Sequence, residues 1–280
     1  MRPHEIYETL TSTPLLIAPT TVDSLITLFL QHAKMDRAEF SDAREGVDPC
    51  GQSVELEQMT IEGSLAIIPV KGPLATRLGK FEKGAGATDY NDIISDIEKA
   101  NEMAATDGKI QNIVILGDTP GGTYGGVVEC ADAIASSDLP VYWYCPAGGQ
   151  TSSAGMYLAA ACAGRFAAPS SSWGSIGVVC AIKDLSALAA ASGIKVRVFS
   201  SGIYKGMGIP GTPLTDEQAA FLQENVLQLA QGFYDHIRSN LGNVPDEAMQ
   251  GQSFYAPEAA KIGLVDEVVK DLDALKEFLG

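Results

Sequence analysis

Short apolar stretches alternate with helical periodicity from Leu65 onward. Uninterrupted apolar runs at 65–70, 113–116 and 141–144 have the length of buried strands. The segments 90–105 and 126–135 carry apolar residues at helical spacing, and a helix of small residues is expected at 153–163. Strands that alternate with helices predict an α/β layered fold.

The second half of the chain continues this pattern less regularly. Short strands are predicted around 166–167, 176–179 and 196–199, with an alanine-rich helix between the last two. Thr215 and Gln218 resemble a capping box and predict the start of a long helix. One face of that helix carries Phe221, Leu222, Val226, Leu229, Phe233 and Ile237.

Residues 1–57 differ from the rest. Apolar residues at helical spacing between Val22 and Leu30 predict one amphipathic helix, and 36–57 is polar with mixed charge. We interpret 1–57 as an N-terminal arm and linker and 58–280 as the main domain. An extra helix packed on the same domain fits the pattern equally well.

The chain is acidic and has 280 residues, of which 46% are hydrophobic, with a formal net charge of −16. Such a chain repels phosphate backbones and anionic membrane surfaces, so nucleic acid and membrane partners are not expected. No run of about 20 apolar residues and no secretory signal pattern is visible. Five cysteines, four of them in apolar surroundings, predict buried free thiols, and we expect a soluble cytoplasmic protein.

Several kinds of chemistry have no support. The three histidines, His4, His32 and His236, all lie outside the glycine-rich loops, and His236 is expected on the polar side of the long helix. A Ser-His triad and a histidine metal site are therefore disfavoured. Neither a phosphate-binding loop nor a dinucleotide-binding motif occurs, so no metal or cofactor is expected.

Two glycine-rich loops, 118–126 and 148–157, each follow a strand and precede a helix. The exposed N–H groups of the first loop can stabilise an oxyanion, although a tight turn explains the glycines as well. In the second loop Ser153 stands at a helix start, where N–H groups favour developing negative charge. Capping of the helix by Thr151, Ser152 or Ser153 is the alternative.

A nucleophilic serine needs a base, and Lys205 is the candidate. It lies in a loop without a nearby acid, flanked by Tyr204 and Met207. Desolvation lowers the proton affinity of a lysine and allows it to act as a base. From its spacing alone, a solvated loop lysine is the better explanation of Lys205.

Together these motifs resemble the signal peptide peptidase A (protease IV) family of Ser/Lys proteases, from about Leu65 to Val269. Five motifs occur in the family's order. They are Thr-Pro-Gly-Gly at 119–122, Ser-Ala-Gly-Met-Tyr at 153–157, Gly-Ser-Ile-Gly-Val at 174–178, the lysine segment at 200–205 and Gly-Leu-Val-Asp at 263–266.

The resemblance implies a ClpP/crotonase-type fold of stacked ββα units. It also implies Ser153 as nucleophile, Lys205 as base, Gly121 and Gly122 in the oxyanion hole, and Ser175 orienting the lysine. A ring-like homo-oligomer is implied too, in which serine and lysine can come from neighbouring subunits. Three departures from the family pattern, Thr119, Ala154 and Met156, are expected to affect preference for the protein or peptide substrate.

The arm at 14–17 and the missing membrane anchor are similar to phage and prophage members that cleave scaffold and capsid proteins. A soluble peptidase that degrades cleaved signal peptides is the alternative. Two other classes stay open: a crotonase-type acyl-CoA enzyme, for which Asp118 is the only acid in either loop, and a catalytically dead assembly component.

Overall fold

The computed structural model describes residues 15–17 and 58–279. The strands are β1 (Leu15–Ile17), β2 (Thr60–Glu62), β3 (Leu65–Lys71), β4 (Leu74–Ala75), β5 (Thr88–Asp89), β6 (Asn112–Asp118), β7 (Gly121–Thr123), β8 (Val141–Cys145), β9 (Gln150–Ser152), β10 (Gly164–Ala167), β11 (Ser172–Gly174), β12 (Ser253–Tyr255) and β13 (Glu267–Val268). The helices are α1 (Lys80–Gly84), α2 (Tyr90–Asp107), α3 (Val127–Ala135), α4 (Ala154–Ala160), α5 (Ser186–Ala191), α6 (Asp216–Leu241), α7 (Ala256–Lys261) and α8 (Leu272–Leu279), with a 3₁₀ turn at Asp246–Ala248.

A six-stranded sheet in the order β13-β10-β8-β6-β3-β2 forms the centre of the fold. Its neighbouring strands are parallel except for the β2–β3 pair. β3, β6 and β8 are strongly apolar and largely buried, as expected for parallel strands covered on both faces. The α/β prediction is confirmed.

Three units of two strands and a helix repeat along the chain. They are β3–β4–α2, with β5 leading into the helix, then β6–β7–α3 and β8–β9–α4. The first strand of each unit joins the large sheet. The second strand turns away from it: β4 and β7 pair in a four-stranded sheet, and β9 pairs with β11 in a three-stranded sheet. This repeated topology is the predicted ClpP/crotonase-type stack of ββα units.

Two apolar layers cover the large sheet. The larger layer joins α2, α3, α4 and the second half of α6, and the smaller one involves α8. Trp143 at the centre is fully buried, and its ring takes the space beside Gly117, where an added Cβ would lie 2.1 Å from the ring. Its indole N–H donates to Thr151 Oγ1 at 2.8 Å, which fixes β9 relative to β8.

The Gly-Leu-Val-Asp motif has a structural role at the sheet edge. Asp266 accepts hydrogen bonds from the backbone N–H of Arg165 at 2.7 Å and from its guanidinium at 2.6 Å. Leu264 and Val265 are buried. The motif therefore fixes β13 beside β10.

Most predicted elements are present, but two short strands are not. The helices predicted at 90–105, 126–135 and 153–163 correspond to α2, α3 and α4, and the capping box of Thr215 and Gln218 is formed at the start of α6. No strand forms at 176–179 or 196–199, and the strand of this region is β11 instead. Val196 and Val198 are 38% and 41% exposed, so this segment is not buried in a sheet as the pattern predicted.

The arm helix predicted between Val22 and Leu30 lies outside the described residues, so the boundary at 57 stays a prediction. Within the described ranges, no helix has the length and apolar character needed to cross a bilayer.

Candidate active site

Ser153 is the single residue between β9 and α4, and its backbone conformation is unusual. Its φ is 52° and its ψ is −109°, a region that favours glycine. Its N–H donates to the carbonyl of Gly174 at 2.8 Å, and its carbonyl accepts the N–H of Tyr157 at 3.0 Å. The strand and the helix thus fix Ser153 from both sides.

The hydroxyl of Ser153 does not cap α4, although capping was the alternative interpretation. No side-chain capping bond is formed at this helix start. The one hydrogen bond of Oγ in the described structure goes to the carbonyl of Gly177 over a long 3.4 Å. A serine in a strained turn with a weakly engaged hydroxyl is suited to act as a nucleophile.

The first glycine-rich loop is tied to the second by backbone and side-chain hydrogen bonds. Asp118 Oδ1 accepts the N–H of Gln150 at 2.9 Å. Thr119 donates its N–H to the Gln150 carbonyl at 2.7 Å and accepts the Ser152 N–H at 3.0 Å. These bonds hold the start of the first loop beside β9, the strand that ends immediately before Ser153.

The two candidate oxyanion donors differ in their surroundings. Gly121 has a φ of 101°, and its N–H donates to Thr119 Oγ1 at 3.0 Å, so this N–H is already engaged. Gly122 is buried so closely against β4 that an added Cβ would lie 1.9 Å from the Leu74 carbonyl oxygen. Gly122 also lies opposite Leu74 of β4 and Leu16 of β1 in the sheet, so the structure favours neither glycine over the other as the oxyanion donor.

The three departures from the family pattern are all inaccessible. Thr119, Ala154 and Met156 are each 0% exposed. The methyl group of Thr119 fills the space beside Gly155, where an added Cβ would lie 2.5 Å from Thr119 Cγ2. A direct contact of these side chains with a substrate is not available in this conformation, and their effect on substrate preference stays a prediction.

Ser175 lies beside the nucleophile candidate. It directly follows Gly174, which accepts the Ser153 N–H, and is itself buried with a φ of 52°. Its N–H donates to the carbonyl of Gln252 at 2.6 Å. The structure thus brings the segments of Ser153, Gly121–Gly122 and Ser175 together.

Lys205 is not part of this cluster in the single chain. It is exposed, and its ammonium makes no hydrogen bond or ion pair with any described residue, Ser153 included. Its segment is held against the start of α6, where the Tyr204 ring stacks on Phe221 with centroids 4.5 Å apart. The Tyr204 hydroxyl also donates to Glu217 at 3.3 Å.

The surface around Lys205 is unusually apolar. Phe199 is 93% exposed, and the first half of α6 also presents apolar side chains to solvent. Between positions 188 and 227 the exposed apolar residues are Leu188, Ile194, Val196, Val198, Phe199, Ile203, Tyr204, Ile209, Phe221 and Leu227. We call these residues together with Lys205 the Lys205 surface, because exposed apolar side chains in such number are typical of an interaction surface.

His236 was placed on the polar side of α6 by its sequence, and this was wrong. Its ring stacks on Tyr157 with centroids 3.8 Å apart, and Nε2 lies 2.9 Å from the Tyr157 carbonyl oxygen. Burial lowers the pKa of His236. The spacing of three residues from the buried Phe233 was the signal that puts His236 on the inner face. Through these contacts α6 supports α4, the helix that Ser153 begins.

The cysteines are not candidate nucleophiles. Cys130, Cys145 and Cys162 are buried free thiols, as predicted, whereas Cys180 is only half-buried and Cys50 lies outside the described residues. Burial raises the pKa of both Cys130 and Cys145 to about 12, which keeps them protonated. The described ranges hold no group of side chains suited to a metal ion.

Comparisons with known proteins agree on one family. The profile of peptidase family S49 matches residues 133–278, just over half of the chain. The chain is 30% identical over 218 residues to the capsid assembly protease C of Escherichia phage lambda, a match that covers 77% of this chain and 48% of that protein. It is 28% identical over 219 residues to the head-tail preconnector protein GP5 of Enterobacteria phage P21, with 77% and 42% covered.

The chain therefore spans about half the length of these two relatives. Among solved structures, a point mutant of ClpP1 from Listeria monocytogenes aligns with a TM-score of 0.49 at 12% identity, covering 75% of this chain and 94% of that one.

Proposed function

This chain belongs to peptidase family S49, and on that premise we propose that it is a serine endopeptidase with Ser153 as nucleophile and Lys205 as general base. The observation that carries the proposal is the position of Ser153. A strand, a helix and a neighbouring strand hold it at a φ of 52°, and its hydroxyl does not cap the helix. Backbone strain of this kind is retained where function requires it.

The base must come from outside the immediate surroundings of Ser153. One ring nitrogen of His236 contacts the Tyr157 carbonyl oxygen and the other contacts Asn240. Neither nitrogen is therefore directed at the Ser153 hydroxyl. Lys205 is exposed in the single chain and so lacks the desolvation by which a lysine becomes a general base. We infer that a neighbouring subunit covers the Lys205 surface, because this removes water from the ammonium and lowers its proton affinity.

In the proposed reaction, Lys205 accepts the proton of the Ser153 hydroxyl as Oγ attacks the carbonyl carbon of the scissile bond. Gly121 and Gly122 are the proposed oxyanion donors, and one such N–H contributes about 3–4 kcal/mol in the transition state. Ser175 orients the lysine. The proton returns to the leaving amine, and water hydrolyses the acyl-enzyme with Lys205 again as base.

The substrate class follows from the relatives. The chain is 30% identical to a capsid assembly protease and 28% identical to a head-tail preconnector protein, both from phages. We therefore propose that it cleaves scaffold or capsid proteins during head assembly of a phage or prophage, inside the bacterial cytoplasm. Degradation of cleaved signal peptides is the alternative substrate class.

Co-expression tests this substrate. The chain, or its Ser153→Ala variant, would be produced with candidate phage scaffold and capsid proteins, and all products would be identified by mass spectrometry. Cleavage of the scaffold or capsid protein by the unmodified chain, absent with the variant, is the expected result. Intact assembly proteins in a preparation that degrades synthetic signal peptides would replace the proposal by its alternative.

A further inference from the structure

A segment of the chain itself lies along the edge of the strand that borders the candidate active site. β1 pairs with β7 in antiparallel orientation, with Leu15 opposite Thr123, Leu16 opposite Gly122 and Ile17 opposite Gly121. The other edge of β7 is taken by β4, in the order β1-β7-β4-β5. β1 is thus the outermost strand of this small sheet and covers the edge that β7 would otherwise expose.

The direction of β1 relates it to Ser153. β7 begins two residues after Thr119, whose carbonyl accepts the N–H of Ser152. The Gly121 end of β7 is therefore the end near the nucleophile candidate. Because the pairing is antiparallel, β1 approaches that end with Ile17, its last residue.

The edge of β7 has the chemistry of a peptide-binding site. Addition of an extended strand to a free sheet edge binds a peptide through its backbone, whatever its side chains. Gly121 and Gly122 carry no side chains that would hold a partner strand away. A peptidase with the proposed Ser153 nucleophile needs its substrate extended along such an edge.

We propose that Leu15–Ile17 is the resident occupant of the strand position that a peptide substrate takes, so that the chain is self-inhibited until this segment is displaced. The inference rests on the proposed function. A tethered segment has an effective concentration of the order of millimolar, so it competes strongly with a free peptide. Occupancy of about nine-tenths reduces the apparent affinity for substrate about tenfold.

The test uses the full chain with Ser153→Ala, so that nothing is cleaved, and a fluorescent peptide copying residues 12–20. Successive N–H groups of a strand point to opposite sides, so of Leu16→Pro and Ile17→Pro only one removes an N–H aimed at β7. Fluorescence anisotropy should show about tenfold tighter peptide binding in the variant that loses the N–H aimed at β7 than in Ser153→Ala alone. The proline variant whose lost N–H points away from β7 is the matched control and should bind the peptide as Ser153→Ala does. Equal affinity in all three chains would overturn the proposal.

A second measurement does not depend on the proline variants being folded. In the Ser153→Ala chain, a saturating, isotopically labelled copy of the same peptide should increase hydrogen exchange of the chain's own residues 15–17. Unchanged exchange at saturation would also overturn the proposal. Both readouts report binding alone, whereas labelling of Ser153 by a fluorophosphonate in the unmodified chain tests the nucleophile, so the two ideas fail separately.

Discussion

The backbone of Ser153 makes a prediction about stability that is independent of activity. A residue with a side chain at a φ of 52° and a ψ of −109° is strained by about 1–3 kcal/mol. Glycine adopts positive φ without this steric cost. Ser153→Gly should therefore release strain that Ser153→Ala retains.

The expected size of the effect follows from two opposing contributions. Release of about 1–3 kcal/mol of strain is offset by the extra freedom of glycine in the unfolded chain, about 0.5–1 kcal/mol. Both variants lose the long hydrogen bond from Ser153 Oγ to the Gly177 carbonyl, so that loss cancels between them. We expect Ser153→Gly to be more stable than Ser153→Ala by about 1 kcal/mol.

Thermal unfolding of the two variants by calorimetry measures this difference directly. For a chain of this size, 1 kcal/mol corresponds to a Tm difference of about 2–4 °C, with the glycine variant higher. Both variants should lack activity, so any stability gain comes with loss of the proposed nucleophile. A glycine variant less stable than the alanine variant by about 0.5–1 kcal/mol would refute the strain, because this is the result at an unstrained position.

Three further predictions concern the loop, the supporting helix and the assembly. Gly122→Ala should unfold the site or abolish activity because a Cβ meets the backbone of β4, whereas Gly125→Ala has open space and should behave as the parent in activity and urea-unfolding assays; equal behaviour of the two would contradict the packing. Burial lowers the pKa of His236 below its ordinary value of 6.5, so the neutral ring contributes stability above pH 6.5 that is lost as pH falls through the folded pKa. The free energy of unfolding in urea should therefore fall less between pH 7.5 and pH 5 in His236→Gln than in the parent. An equal fall in both would exclude His236 as its source. If neighbouring subunits supply serine and lysine, mixed Ser153→Ala and Lys205→Ala chains should recover activity at roughly a quarter of sites, because random mixing gives each intact residue a chance of about one half; a mixture without activity, with subunit exchange shown, would place both residues in one chain.

Local patterns predicted the frame of the site well. The apolar runs correctly predicted β3, β6 and β8, and the helical spacing predicted α2 and α3. This works because a buried strand or helix face imposes a periodic pattern of apolar residues on the sequence. The glycine-rich segments after β6 and β8 were placed correctly at strand-to-helix turns. Ser153 therefore could be located at a helix start from the sequence alone.

Contacts between distant segments could not be predicted in the same way. The hydroxyl of Thr119 engages the Gly121 N–H, and this depends on the path of the loop rather than on residue spacing. His236 is polar, so a hydropathy pattern places it outside; its spacing from Phe233 indicates the inner face, but the stacking of its ring on Tyr157 comes from a separate helix. At 196–199 the apolar pattern predicted a buried strand, but the described part of this single chain leaves the segment exposed.

The assignment of Ser153 and Lys205 is tested most directly by an active-site probe. The assembled protein would be treated with a fluorophosphonate, and the modified residue identified by mass spectrometry, in parallel with Lys205→Ala and with Lys195→Ala as a control for loss of an exposed lysine. We expect stoichiometric modification of Ser153 in the parent and in Lys195→Ala, and almost none in Lys205→Ala. Modification of another residue, or undiminished modification of Ser153 without Lys205, would contradict the proposed dyad.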